Sequence, residues 1–395
     1  MKLKLDGKSF LAIAFVAIII AGGILTFAIN PKQVFGGLVK GYISAPTESS
    51  FLKKIGNSFS TFDGRMNEYF AFHDTSIHAY GFVQKLLGRT LIHDVDKSSE
   101  VLKLENDYLT FKRSGNSDYT ALKDYLLDLK TVTNSYGGEL LYIPTFNKDT
   151  SPSDLLPKFW PYESTSNIDD IKPLLEANGV SVLDYDEIVE QENIDKYSMF
   201  FKTDHHWTAR TGLWAAQVIS EKINDDFQFD LDTDILDISN YSIKTYKSSF
   251  LGSEGKRVGA LYAGVDDFEI VKPTFPTHLT VKMGDINFDV TGSFSDTMIF
   301  EENITPDNLL NKQTTAYCAY MQGNHALVEA ENHDLPEGKT ALLIMDSYGC
   351  VVAPYLTLAF QELDCIDIRY YTDPIEEYVK STSPDVVIYA ISSYQ

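Results

Sequence analysis

Ala341-Leu342-Leu343-Ile344-Met345-Asp346-Ser347-Tyr348-Gly349 decides the fold. Five apolar residues form a run too short for a buried helix and suited to a strand covered on both faces. The run breaks at Asp-Ser and leads toward a helical stretch. A serine at a strand-to-helix turn sits at the carboxyl end of a sheet, where α/β folds place their chemistry. The pattern repeats on both sides. Downstream, a helix is expected over residues 352–363, a strand over 366–371, a helix over 375–381 and a buried strand over 385–390. Upstream, a helix over 119–132 ends at Gly137-Gly138, followed by a strand over 139–143, a helix over 168–178, a strand over 180–184 and a helix over 209–222. Such alternation predicts a parallel sheet with helices on both faces. Residues 225–335 differ: short Val, Ile, Thr, Phe and Tyr runs separated by Gly, Asp, Asn and Pro predict a β-rich insertion, a lid or substrate platform.

Chemistry enters at Thr203-Asp204-His205-His206-Trp207-Thr208. In an extended segment Asp204 and His206 point to the same side. Asp204 can then hold one ring nitrogen of His206 and leave the other to take a proton, with Ser347 as the nucleophile. Trp207 would shield the pair or offer a platform to sugar rings. Asn147 and Lys148 follow the strand at 139–143, so Asn147 is a candidate oxyanion donor and Lys148 a candidate hold on substrate charge. Two other readings stay open. Asp204, His205 and His206 resemble the Asp-His-His of metal-dependent phosphoesterases, but no Asp-x-Asp partner lies beside a buried strand, and no metal is expected. Alternatively, His206 is a buried hydrogen-bonded histidine and Ser347 a helix cap. The loop Phe250-Leu251-Gly252-Ser253-Glu254-Gly255-Lys256-Arg257 lacks the Gly-Lys-Ser/Thr ending of a phosphate cradle and reads as structural.

With 395 residues the chain can hold one large domain with an insertion. A net charge of −23 argues against nucleic acid as a partner. Three cysteines, Cys318, Cys350 and Cys365, with no Cys-x-x-Cys pair, read as small buried hydrophobes and call for neither a disulfide scaffold nor zinc. Residues 9–29 form an uncharged, mostly apolar run flanked by Lys2, Lys4 and Lys8. It is longer than a signal-peptide core of roughly 7–15 residues, so a single uncleaved transmembrane helix is expected, with the remainder outside the cytoplasm. Residues 1–30 are then the anchor, 31–60 a linker and 61–395 the catalytic domain.

Thr-Asp-His-His-Trp-Thr with a downstream Asp-Ser resembles the Asp-His-His-Trp (DHHW) proteins, which are similar to the SGNH-hydrolase-like proteins of alginate acetylation. Looser likeness runs through Tyr69-Phe70, Tyr108-Leu109, residues 144–148, Phe250-Leu251-Gly252 and Asp367-Ile368-Arg369-Tyr370. The resemblance implies an SGNH-like three-layer α/β/α domain in which Asp and His precede Ser. It implies Ser347 as nucleophile, His206 as general base and acid, and Asp204 as orienter, with Asn324 and Arg369 added to the oxyanion and substrate candidates. Met345 stands where the family pattern has Gly. The function implied is O-acetyl transfer, or acetyl-ester hydrolysis, on an exported or cell-surface polysaccharide. No cofactor is implied, and a multi-spanning membrane protein would deliver the acyl group. The alternative is a non-catalytic carbohydrate-binding or assembly protein on the same fold.

Overall fold

The computed structural model describes residues 7–47, 49–94, 97–111, 119–144, 146–148, 168–311 and 315–391. The chain divides into two units, residues 1–83 and 84–395.

The first unit is helical: α1 (Gly7–Ile29), α2 (Pro31–Ile43), α3 (Phe51–Glu68) and the start of α4 (His73–Leu86). The expected linker is thus two packed helices. Its glycines, which suggest a tether in the sequence, are the contact between them. A Cβ on Gly41 would lie 2.6 Å from the Asn57 carbonyl oxygen, and Asn57 Nδ2 donates to the Gly41 carbonyl at 2.5 Å. Among the described residues no single helix is long and apolar enough to cross a membrane. The pair Val16–Ile29 and Pro31–Ile43 passes by length and composition together, bent by 83°. Lys2 and Lys4 of the expected basic flank lie outside the described residues.

Among the described residues the second unit carries thirteen strands. A small antiparallel sheet holds β1 (Leu91–Ile92), β2 (Val101–Lys103) and β3 (Leu109–Phe111). The main sheet draws on β4 (Glu139–Ile143), β5 (Ser181–Val182), β8 (Leu279–Met283), β9 (Phe288–Gly292), β10 (Leu327–Asn332), β11 (Thr340–Met345), β12 (Glu362–Asp367) and β13 (Val386–Ala390). Their order is β5-β4-β13-β11-β12-β10-β8-β9. The five from β5 to β12 are parallel, whereas β10, β8 and β9 join antiparallel. Much of the β-rich stretch therefore widens the central sheet; β6 (Tyr241–Phe250) and β7 (Asp266–Pro273) form a separate ribbon.

Side-chain alternation in β11 separates the two cores. Leu342 and Ile344 face Leu126 and Leu129 of α5 (Thr120–Asn134) and Ile171 and Leu175 of α6 (Ile168–Ala177). Leu343 and Met345 belong to the opposite core, which contains Leu213, Ala216 and Ile219 of α8 (Ala209–Phe227), the helix after α7 (Tyr185–Gln191). This is the three-layer α/β/α arrangement. The helix expected over 352–363 is only a 3-10 turn, Ser347–Val351, and a single turn, Ala353–Leu356. β12 begins earlier than expected because Glu362 is already paired with both β10 and β11. It ends at Asp367, whose carbonyl accepts from the Tyr370 and Tyr371 amides and turns the chain.

Burial on both faces has a measurable consequence. Leu342→Ala and Leu343→Ala, adjacent but on opposite faces, should each lower stability by roughly 2–5 kcal/mol in urea unfolding. A negligible cost at either position would mean that one face of β11 is open to solvent.

Candidate active site

Ser347 stands where β11 ends. The Asp346 carboxylate accepts from the Tyr348 amide at 3.0 Å, and the Gly349 amide donates to the Asp346 carbonyl, so the chain turns directly off the strand. An aspartate bonding two residues ahead is a standard local device for starting such a turn. It lifts Ser347, half-buried, to the carboxyl end of the sheet.

The second half of the site comes from the segment before α8. Phe200 and Trp207 form an antiparallel bridge, and Phe201 N donates to His206 O at 3.2 Å. Asp204 and His206 therefore lie in a tight bend rather than the expected extended segment. They still share a side because Asp204 Oδ1 accepts from both the His206 amide, at 2.9 Å, and His206 Nδ1, at 2.5 Å. Thr208 then caps α8, its hydroxyl accepting from Thr211 N, which fixes the base at a rigid helix start.

His206 Nε2 lies 2.8 Å from Ser347 Oγ. Asp204, His206 and Ser347 thus form one hydrogen-bonded line. Burial is the largest influence on the Asp204 carboxyl and acts to raise its pKa. The charges of His206 and His205 and the hydrogen bonds from His206 outweigh it and hold the group well below the usual carboxylate range. An ionised Asp204 can only accept, so His206 Nδ1 carries the hydrogen and Nε2 turns its lone pair to the serine. Burial, then the neighbouring His205 charge, push His206 down to about 4, against the upward pull of Asp204. At neutral pH the imidazole is uncharged, with Nε2 free to act as a base.

The family model described as DHHW protein matches residues 182–366, and the model described as SGNH hydrolase-like domain, acetyltransferase AlgX, matches residues 106–235. The chain resembles the DHHW family. A solved DHHW family protein from Eubacterium siraeum is 17% identical, with a TM-score of 0.57 over 78% of this chain and 94% of that one. Bacillus cereus PatB1, solved with a sulfonyl adduct, is 16% identical, with a TM-score of 0.59 over 76% and 95%. No curated protein matches the sequence. The likeness to these structures is one of fold: a mixed α/β domain on a large sheet.

In this DHHW-like chain the remaining candidates take varied positions. Trp207, only 5% exposed, is no sugar platform. Its ring packs among Phe146, Tyr185 and Tyr348, and its Nε1 donates to the Tyr348 carbonyl at 2.9 Å. Lys148 is also buried; its Nζ donates to the carbonyls of Leu109, Phe201 and Asp204, which use its three hydrogens on the backbone instead of on a substrate. Asn147 is buried, its Oδ1 3.0 Å from Tyr348 Oη, whose single hydrogen is shared with the His205 carbonyl at 2.9 Å. Asn324 and Arg369 are the exposed candidates. Arg369 binds Asp367 through Nε at 2.8 Å and donates to Asn324 Oδ1 at 2.9 Å. Cys350 Sγ reaches the same oxygen, and this anchoring turns the amide end of Asn324 away from both partners. For a metal, Asp204, His205 and His206 bring one ligand atom each within 4.8 Å of one another. Both His206 nitrogens and both Asp204 oxygens already have protein partners.

Two contributions escaped the sequence. Tyr317 stacks on His206, with ring centroids 4.3 Å apart and planes at 22°. The loop that reads as structural supplies Ser253, whose amide and hydroxyl donate to Asp204 Oδ2 at 2.6 and 3.1 Å. The available signal was Gly252 followed by a serine at the start of a short helix. A Cβ on Gly252 would lie 2.1 Å from Asp204 Cβ, a collision with the orienting residue itself.

Gly252→Ala should therefore be worse than Ser253→Ala, which removes one hydroxyl donor and costs about 1–2 kcal/mol. Denaturant unfolding together with the labelling rate of Ser347 by a sulfonyl fluoride would rank them. Equal labelling in Gly252→Ala and the wild type would mean that Asp204 is not held against residue 252.

Proposed function

We propose that the chain is a membrane-anchored, extracytoplasmic serine acyl-transfer enzyme, an O-acetyltransferase or acetylesterase acting on an exported or cell-surface polysaccharide. The observation that carries this reading is the 2.8 Å contact between Ser347 Oγ and an unprotonated His206 Nε2 whose other nitrogen is held by Asp204. A serine hydroxyl is a weak nucleophile until an oriented base takes its proton. The match to an acetyltransferase family model over residues 106–235 supports acetyl as the acyl group.

Ser347 Oγ attacks the acyl carbonyl as its proton passes to His206. The tetrahedral oxyanion collapses, the donor's leaving oxygen takes the proton from His206, and an acetyl-serine remains. A sugar hydroxyl, or water, then gives its proton to His206 and attacks the acetyl-serine, and Ser347 leaves with that proton. Ser347 N–H stands at the first position of its turn, where helical amides lack an internal acceptor, and is the first oxyanion donor we assign. The Asn324 amide is the second, held by Arg369 and Cys350 through its oxygen. Arg369, beside this amide, is the candidate to meet substrate oxygens. The apolar run at residues 9–29 would anchor the chain, and a multi-spanning membrane partner would deliver the acyl group. The net charge of −23 remains at odds with a nucleic-acid partner.

Incubation of the full-length chain with p-nitrophenyl acetate should leave a covalent acetyl adduct by intact mass. Ser347→Ala should abolish it, and Ser347→Ala or His206→Ala should lower turnover by roughly 10⁴–10⁶-fold. An adduct that survives in folded Ser347→Ala would remove this mechanism.

The acid limb of kcat/KM tests the base. A group whose pKa lies below its ordinary value stays deprotonated as pH falls past that value. The rate should therefore hold through pH 6.5 and drop only toward about 4. A limb at or above 6.5 would show that His206 is an ordinary imidazole.

A further inference from the structure

Glu254 follows the serine that holds Asp204 and lies in the first turn of Ser253–Val258. It is 0% exposed, and neither carboxylate oxygen has a hydrogen-bond partner among the described residues. A buried carboxylate without donors is costly unless a cation faces it. The group that faces it is His205, whose Nδ1 lies 3.8 Å from Glu254 Oε2 and 3.7 Å from Asp204 Oδ1.

The surroundings of His205 come from several elements. Asp204 and His206 adjoin it in the chain, Glu254 approaches from the short helix, and the Lys148 charge acts on it from the loop after β4. The rings of Phe111, from β3, and Tyr348, from the serine turn, lie 6.0 and 5.9 Å away. The His205 and His206 ring centroids are 3.9 Å apart. Two imidazoles this close do not readily both carry a positive charge. Two carboxylates flank His205, whereas Ser347 occupies the free nitrogen of His206. Burial pulls His205 down most strongly, but Asp204 and Glu254 together leave it raised, opposite to His206.

We propose that Glu254 and His205 form a positioning pair: Glu254 holds an imidazolium charge on His205, and that charge keeps the neighbouring His206 free to take the Ser347 proton. The inference rests on the acyl-transfer reading for its purpose, but the coupling between the two imidazoles exists or fails independently of turnover. A proton taken by His206 during reaction would also leave again readily, because His205 repels it.

The test follows the histidine ring resonances of the full-length wild-type chain by NMR across pH, assigned with His205→Gln and His206→Gln. His205 should keep its proton to a higher pH than His206; the reverse order overturns the pair. In Glu254→Gln, His206 should titrate about one pH unit higher, a tenfold change in proton concentration, with the acid limb of p-nitrophenyl acetate turnover moving alongside. Glu254→Asp should restore part of the shift. An unmoved His206 titration in folded Glu254→Gln and His205→Gln, with only a lower plateau rate, assigns both residues a structural role and overturns the proposal. Coupled titration without any adduct or turnover would leave the pair standing and remove the acyl-transfer reading. Serine-dependent turnover without coupling would do the reverse.

Discussion

The Asp204 carboxylate is the constraint from which the rest of the site follows. A charge buried this deeply is tolerable only when its oxygens are taken by donors or cations. Asp204 receives four donors: the amide and ring of His206 on one oxygen, the amide and hydroxyl of Ser253 on the other. Two come from its own bend and two from a loop 49 residues away. The same loop must come close enough that residue 252 has no space for a side chain. Backbone support extends outward. Thr203 donates through its amide and hydroxyl to Asp266 of β7, and the Thr203 hydroxyl accepts from the Gly252 amide. The bend that carries the base is thereby tied to the ribbon and to the loop that satisfies its acid.

The sheet explains why distant segments meet. β4, β11 and β12 run parallel, with β13 between β4 and β11, and present their carboxyl ends at one edge. Asn147 and Lys148 follow β4, Ser347 follows β11 and Arg369 follows β12. The residues the sheet brings to the site all follow strands of its contiguous parallel part. β10 and β9 run against this sense and β8, antiparallel to β10, runs with it, so the β-rich stretch extends the sheet with strands of alternating direction.

What the sequence revealed depended on the kind of signal. β11 was legible because a strand buried on both faces is a continuous apolar run. Asp204 and His206 were legible as a pair because their chemistry is local, although the bend that unites them is a side-chain-to-backbone turn that periodicity does not register. Ser253 was not legible as a partner of Asp204, since nothing local links residues 49 positions apart. Lys148 as a hold on substrate and Trp207 as a sugar platform failed in the same way. Each is amphipathic, and its polar end could be satisfied by solvent, substrate or backbone; the fold uses backbone carbonyls for both. The helices over 31–68 were hidden by the glycines that let α2 and α3 touch.

The order of the three residues along the chain matters less than how the two halves are joined. The residue after His206 and the residue after Ser347 bind each other, through Trp207 Nε1 and the Tyr348 carbonyl. Tyr348 Oη returns to the carbonyl of His205, the residue before the base, at 2.9 Å. Two hydrogen bonds in opposite senses therefore straddle the Ser347–His206 contact, so neither segment can slide without breaking one of them. The first bond is buried and the second partly so, and a lost partner there leaves a polar group unsatisfied. Either order of acid, base and nucleophile would serve, provided a strand end and a helix start are pinned side by side. Here β11 supplies the first and α8 the second.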